Sequence, residues 1–371
     1  MDREGGNREK FWLEARVRRQ LKDFLLDVEL ETGRGCLGIL GPSGCGKSMT
    51  LKSIAGIAAP ESGRIVLEGR QGRRVLYDSA SRVNMRPQAR GVGYLFQNYA
   101  LFPNMTVEEN IGAGLKARRL SGEEIRRRTG EMAERFGLTG LEKRYPAQLS
   151  GGQQQRTALA RIMAYQPEAV LLDEPFSAMD AHLRERLRLE LLELLRDYEG
   201  VSVLVTHDRD EAYQLCSRLV FMDQGRILAA CPTKELFLNP GTCRAARMTG
   251  CKNISRIERL GEYRIRALDW GGLELAVSRP VSGDVTAAGI RAHDLLPLSG
   301  EEAAALKGRP EANLVPVGRP KVSEMPFEWY VTLENGLWWK REKSIHMHAA
   351  GDVLPEYLRI PPEAVMLLRG E

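Results

Sequence analysis

The chain has 371 residues, with 54 basic and 49 acidic side chains; its net charge of +5 is small for the size and gives no reason to expect nucleic acid as a partner. That length is large for one hydrophobic core, so two domains are expected. No apolar run approaches the ~20 residues of a membrane span, and the charged start Met1-Asp2-Arg3-Glu4 lacks an apolar signal segment, which predicts a cytoplasmic chain. The six cysteines are scattered without a C-x-x-C pair, which argues against disulfides or zinc. His346 and His348 could share a strand face but have no third ligand nearby and read as surface histidines.

Residues 11–30 alternate loosely, and Phe24, Leu26, Val28 and Leu30 are expected on one face of a strand. The apolar run Cys36-Leu37-Gly38-Ile39-Leu40 then leads into Gly41-Pro42-Ser43-Gly44-Cys45-Gly46-Lys47-Ser48, a full match to G-x-x-x-x-G-K-[ST]. Main-chain N–H groups of such a loop form a nest for phosphate. The helix predicted from Ser48 to Ala55 turns its positive end toward the same point, Lys47 adds a full charge, and Ser48 Oγ is placed to bind Mg2+. The bland alternative is a glycine turn that matches by accident, and only the rest of the chain excludes it.

Pro60-Glu61-Ser62-Gly63 is turn chemistry, and Arg64–Gly69 reads as a short strand of an antiparallel flap. Residues 91–96 predict another strand with Gln97 at its carboxyl end, where open α/β sheets place ligand contacts. From Val107 to Tyr145 the pattern is helical and charged, with Arg126, Arg127 and Arg128 as a solvated face. Leu149-Ser150-Gly151-Gly152-Gln153 opens a further helix, a second anion-binding geometry.

Ala169-Val170-Leu171-Leu172 is too apolar for an exposed edge and predicts a central parallel strand. It emerges at Asp173 and Glu174. Two acids there suit a Mg-nucleotide site, one holding metal and the other taking a proton from water; an acidic turn after a buried strand is the competing reading. Residues 182–198 form an amphipathic helix, and Val201–Thr206 is a further buried strand with His207 at its end. Alternating strands and helices make this an α/β domain with a mostly parallel sheet. Near residue 250 the composition changes: four of the five tryptophans (270, 329, 338, 339) lie in the final third. Short strands such as Glu262–Arg266 and Trp329–Leu333, with Glu334-Asn335-Gly336 as a hairpin turn, predict a small β domain there.

In this order, the phosphate loop, Gln97, Leu-Ser-Gly-Gly-Gln, Leu-Leu-Asp-Glu-Pro, Ser177-Ala178-Met179-Asp180 and His207 resemble the ATP-binding cassette (ABC) ATPases across roughly residues 15–240, and the signature at 149–153 is specific to that family. The resemblance implies a P-loop NTPase cassette over 1–240, with a mostly parallel sheet, an antiparallel β flap and a helical subdomain at about 98–160. A small C-terminal all-β domain, an OB-like barrel with a regulatory or dimerisation role, follows over 250–371. ATP and Mg2+ are the implied cofactors. Gly41, Pro42, Ser43, Gly44, Cys45, Gly46, Lys47 and Ser48 would hold the phosphates, and Ser48, Gln97 and Asp173 the Mg2+ shell. Glu174 would be the general base, and His207 would contact the γ-phosphate. Cassettes of this family pair head to tail, so Ser150, Gly151, Gly152 and Gln153 would close over the ATP of a second copy. An aromatic residue of the entry segment stacks on adenine in such cassettes; Phe24 suits the buried strand face, leaving Phe11 or Trp12. Met179 stands where Leu is usual, a swap of similar volume with little expected effect.

The run Tyr94-Leu95-Phe96-Gln97-Asn98-Tyr99-Ala100-Leu101-Phe102-Pro103-Asn104-Met105-Thr106-Val107 looks like bacterial importer ATPases, in which this segment shapes a groove for a coupling helix of the permease. Val75-Leu76-Tyr77-Asp78-Ser79 and the short approach from Asp23 to Gly41 are similar to the molybdate and sulfate importer group. Gly289-Ile290-Arg291-Ala292-His293-Asp294 resembles that group's oxyanion-binding, transport-associated domain, which binds the anion in some relatives and can equally serve as a dimer contact. A homodimer on the inner face of the cell membrane is therefore implied, meeting permease subunits through the surface near Gln97 to Val107 and an extracytoplasmic solute-binding protein indirectly. The implied cargo is an oxyanion, molybdate first, with sulfate, iron, polyamine or sugar as alternatives. A cassette acting on nucleic acid or ribosomes usually carries a second cassette or a long coiled coil before the Asp-Glu strand, and an exporter carries fused membrane helices; this stretch shows neither.

Overall fold

The computed structural model describes residues 11–177, 179, 181–343 and 354–370. Ala178, Asp180, His346 and His348 lie outside the described residues. The chain divides into two compact units, Met1–Thr233 and Lys234–Glu371.

The first unit holds two sheets. Strands β1 (Trp12–Gln20), β2 (Leu25–Thr32), β3 (Gly35–Leu40), β4 (Ser62–Gly69), β5 (Gly72–Asp78) and β6 (Val83–Asn84) begin the chain, and all except β3 form an antiparallel flap in the order β2-β1-β4-β5-β6. Alternation sets its faces: Leu13, Ala15 and Val17 of β1 and Leu26, Val28 and Leu30 of β2 are buried, with polar residues between them. Phe24 does not continue that face. The Leu21 N–H donates to the Phe24 carbonyl at 2.9 Å, closing a turn that leaves Phe24 half-buried before the strand begins.

The second sheet comprises β3, β7 (Val92–Leu95), β8 (Ala169–Asp173), β9 (Val201–Thr206), β10 (Arg218–Asp223) and β11 (Arg226–Pro232), in the order β11-β10-β3-β9-β8-β7. Every pairing from β10 to β7 is parallel, and antiparallel β11 forms one edge. Strand β8 is buried at all five residues, as a strand paired on both sides and covered on both faces must be. Because Leu40 pairs with Thr206, Val205 with Asp173, and Leu172 with Leu95, four carboxyl ends share one edge of the sheet.

Helix α1 (Lys47–Ala55) follows β3. Three further helices, α2 (Val107–Ala117), α3 (Gly122–Arg135) and α4 (Gly151–Ala164), pack around Val107, Ile111, Leu115, Leu138 and Ala160. Thr106 and Glu109 close a capping box that starts α2. Arg127 and Arg128 pair with Glu124 on the solvated face of α3. Helices α5 (Ala181–Asp197) and α6 (Arg209–Leu215) flank β9 in sequence.

Arg90 ties the flap to α1. Its side chain is fully buried, and its guanidinium donates to the carbonyls of Ser53, Ile54 and Met85 and to Asn84 Oδ1 at 2.8–3.0 Å. It thereby satisfies the Ile54 carbonyl at the end of α1 and adds a second donor to the Ser53 carbonyl, which also accepts from Gly56 N. Arg90→Met, which fills similar space without donors, is expected to destabilise the chain by ~3 kcal/mol, read as a lower urea midpoint of the first unit's unfolding. An unchanged midpoint would show that these bonds are replaced by water.

The second unit is built from β12 (Asn253–Gly261), β13 (Arg264–Ala267), β14 (Leu273–Ala276), β15 (Ala287–Ile290), β16 (Leu296–Leu298), β17 (Leu314–Pro316), β18 (Lys321–Glu324), β19 (Glu328–Thr332), β20 (Trp338–Glu342), β21 (Tyr357–Arg359) and β22 (Met366–Leu368). They form three antiparallel sheets, β14-β13-β12-β15-β22, β16-β21-β17 and β18-β19-β20, around a core that includes Trp270, Trp329 and Trp339. The turn at Glu334-Asn335-Gly336 joins β19 to β20, with Leu333 N donating to Leu337 O at 2.8 Å. The strand expected over 262–266 is instead a hairpin corner: β12 slips register between Arg259 and Gly261, Glu262 and Tyr263 turn, and β13 starts at Arg264. Arg291 donates to the carbonyls of Phe237 and Thr249.

Candidate nucleotide site

The loop at 41–48 leaves β3 at the centre of the parallel sheet. Gly41 is required by close approach, since a Cβ there would lie 2.1 Å from the Met222 carbonyl oxygen. Gly46 has φ +108°, a left-handed conformation that residues with a Cβ rarely adopt, and it starts α1 directly at Lys47. Pro42, Ser43 and Gly44 are exposed while Lys47 is buried, its ammonium donating to the Gly41 and Pro42 carbonyls at 2.8 and 2.9 Å. Cys45 is buried, and that burial pushes its thiol up, opposed by Lys47.

Asp173, at the end of β8, is held at both oxygens. Ser48 Oγ donates to Oδ1 at 2.7 Å, and Tyr94 Oη from β7 donates to Oδ2 at 2.7 Å. Burial, then the contact with Asp173, raises the Tyr94 phenol far above its ordinary value, so it remains a donor at any working pH. Glu174 has φ +45°, its N–H donating to the Val205 carbonyl of β9 at 3.0 Å. Its Oε1 lies 3.2 Å from His207 Nδ1, the imidazole half exposed and the carboxylate largely covered. Gln97 is exposed two residues past the end of β7, on the same edge of the sheet, without a hydrogen bond to Ser48 or Asp173. Ser48 Oγ and Asp173 Oδ1 are two adjacent hard-oxygen donors, a set that suits Mg2+ completed by water and substrate phosphates.

The ABC transporter family profile matches residues 25–177. The molybdate/tungstate import ATP-binding protein WtpC of Thermococcus kodakarensis is 39% identical over 282 residues, covering 76% of this chain and 81% of that one. The chain belongs to the ABC transporter ATP-binding family. The spermidine/putrescine import ATP-binding protein PotA of Acidothermus cellulolyticus is 45% identical over 216 residues, 58% of this chain and 54% of the relative. The sulfate/thiosulfate import ATP-binding protein CysA of Mesorhizobium japonicum is 45% identical over 235 residues, 62% of this chain and 65% of the relative. The chain thus spans about half to two thirds of the length of these last two. An ATP-binding cassette solved as a dimer in a post-hydrolysis state, bound to ADP and Pi, superposes with a TM-score of 0.50 at 28% identity, covering 60% of this chain and 98% of that one.

No hydrogen bond among the described residues joins the ABC signature residues to the loop at 41–48. Ser150 caps α4, accepting from Gln153 N at 3.4 Å, while Ser150 N donates to Gln153 Oε1 at 2.9 Å, so the Ser-Gly-Gly-Gln stretch closes on itself with Gly151 exposed and Gly152 buried. Two aromatic residues differ from expectation. Phe11 is 4% exposed in the flap core, which leaves it no free face for a base. Phe24, assigned by alternation to the core, instead packs beside the ABC phosphate loop: its ring edge would lie 3.5 Å from a Cβ built on Gly46. Tyr94 carried no motif; only the pairing of β7 with β8 puts it on Asp173.

Behind His207, Glu211 is 4% exposed and accepts from Thr206 Oγ1 at 2.5 Å. Burial raises its carboxyl above the ordinary glutamate value, opposed by the Thr206 bond. Relative to the unfolded chain, folding therefore shifts this carboxyl toward its protonated form. Stability from this group is fully present below the ordinary glutamate range and is lost as pH rises through the raised value. Glu211→Gln, which keeps an acceptor for Thr206, should melt above the parent at about pH 8, with the gap shrinking toward about pH 4. A gap independent of pH in thermal melts would rule this out.

Proposed function

We propose that the chain is the ATP-hydrolysing subunit of a bacterial-type ABC importer that energises uptake of an oxyanion, molybdate first. The observation that carries the reading is the cluster at the edge of the parallel sheet, where the phosphate loop, the Ser48–Asp173 contact and the Glu174–His207 pair meet. Main-chain donors at 41–48 and Lys47 bind the phosphates, while Ser48 and Asp173, with Gln97, hold Mg2+, which when bound supplies charge that stabilises the phosphoryl-transfer transition state. Glu174 accepts the proton of the attacking water. His207, 3.2 Å from that carboxylate, would contact the terminal phosphate, and Phe24, half-buried beside the phosphate loop, would stack on adenine. Ser150–Gln153 of a second copy complete the donor set, so closure requires a homodimer.

A groove of about 970 Å³ beside the Gln97 loop, lined by Phe96, Ala100, Phe102, Ala113, Arg118 and Tyr165, suits a short amphipathic helix of a membrane permease. No helix among the described residues is long and apolar enough to cross a membrane, and attachment to the inner face of the membrane through that groove fits the importer reading. The oxyanion is supported by the alignment with the molybdate/tungstate relative, whose 282 residues exceed the first unit and so extend into the second.

Glu174→Gln should keep ATP affinity and lose turnover by about a thousandfold or more, with a closed dimer accumulating by gel filtration in ATP. Near-parent hydrolysis would remove Glu174 as the base. Lys47→Ala should abolish, and Phe24→Ala weaken about tenfold, the binding of ATP measured by calorimetry; unaltered affinity would contradict the respective contact. Cells deleted for this chain should lose uptake of labelled molybdate, restored by the parent gene and not by Glu174→Gln. Loss of sulfate or spermidine uptake with molybdate uptake intact would reassign the cargo.

A further inference from the structure

The carbonyl of Pro175, the residue after Glu174, is held from two directions. Tyr99 Oη and Gln155 Nε2 each donate to it at 3.3 Å. Tyr99 is 4% and Gln155 1% exposed, so bulk water does not compete for either bond. The donors come from different parts of the cassette. Tyr99 lies two residues past Gln97, in the loop that borders the groove through Phe96, Ala100 and Phe102, and Gln155 lies near the start of α4, the helix capped by Ser150.

Both sides of this junction are under backbone constraint. Tyr99 and Ala100 have φ of +59° and +44°, unfavourable for residues with a Cβ, and Arg161 of α4 stabilises the bend by donating to their carbonyls at 2.9 and 2.8 Å. Glu174 is itself left-handed. Its N–H is fixed to β9, and its carbonyl accepts from Ser177 N and Oγ at 3.2 and 3.1 Å. The proline ring then restrains φ at Pro175, so the Pro175–Phe176 peptide, which carries the Pro175 carbonyl, is the next point of adjustment after Glu174.

We infer that Tyr99 and Gln155 are positioning residues: through their shared hold on the Pro175 carbonyl they set the orientation of the Glu174 carboxylate, so that displacement of the groove loop or of α4 changes the rate of hydrolysis without touching nucleotide. This rests on Glu174 acting as the base. A groove-bound helix acts on the Tyr99 bond and a second cassette acts on α4, so both partners address one carbonyl.

The test uses the full chain. Tyr99→Phe removes one donor and keeps the ring; Gln155→Leu removes the other at nearly constant volume. Each should lower kcat about threefold to tenfold while ATP affinity, measured by binding, and Tm stay near the parent values. The double variant should lose less than the product of the two single losses, because both act through one acceptor. A parent-like kcat in Tyr99→Phe, parallel shifts of kcat, affinity and Tm, or a strictly multiplicative double variant would each overturn the inference; Tyr99→Phe decides it even if Gln155→Leu fails to fold. A parent chain that does not hydrolyse ATP, or a fully active Glu174→Gln, would remove the base assignment and this inference with it. An active parent with inactive Glu174→Gln and parent-like Tyr99→Phe would overturn the inference alone.

Discussion

The parallel pairing of β3, β9, β8 and β7 is the constraint on which the candidate site depends. Parallel strands place all their carboxyl ends on one edge, and the loops that leave that edge cannot avoid one another. Here Leu40 pairs with Thr206, Asp173 with Val205 and Leu95 with Leu172, so the four strand ends fall within two residues of one another and distant parts of the chain converge. A parallel sheet pays for this with crossovers, and both faces must be covered, which is why β8 and β9 are buried throughout and mostly apolar.

On that edge, charge is handled by donors rather than by dispersal into water. Asp173 accepts from Ser48 and Tyr94, Glu174 lies against His207, and the Lys47 ammonium is surrounded by loop carbonyls. Each group is held in place by a neighbour, and burial of the Tyr94 phenol, with the contact to Asp173, raises it far above its ordinary value, so it stays a donor. The same economy holds away from the edge: the buried Arg90 and the part-buried Arg161 donate to main-chain carbonyls, one securing the end of α1 and the other the bend after Gln97. In both cases the charge offsets backbone groups that a helix end or a left-handed bend leaves open.

The second unit works by different physics. Most of its strands are short, and its core sets three indoles, Trp270, Trp329 and Trp339, among aliphatic side chains such as Ile265, Leu275, Val331 and Leu358. Arg291, within the segment that resembles an oxyanion-binding domain, donates to main-chain carbonyls of its own unit.

Local chemistry was enough to read the phosphate loop, the signature helix start, the acidic end of β8 and the hairpin at Asn335-Gly336, because each is a short motif whose residues act within a few positions of one another. Alternation also placed Leu26, Val28 and Leu30 correctly on a buried face. It failed at Phe24, where a turn bond holds the residue outside the strand, which starts at Leu25, and at Glu262–Arg266, where a register slip puts a corner inside an alternating run. Neither event leaves a trace in hydropathy. Tyr94, Tyr99, Gln155 and Arg161 read as ordinary residues in sequence. Their parts depend on which strand lies beside which and on which carbonyl a neighbouring loop presents, and those distances exist only once the parallel sheet has brought the ends of its strands together.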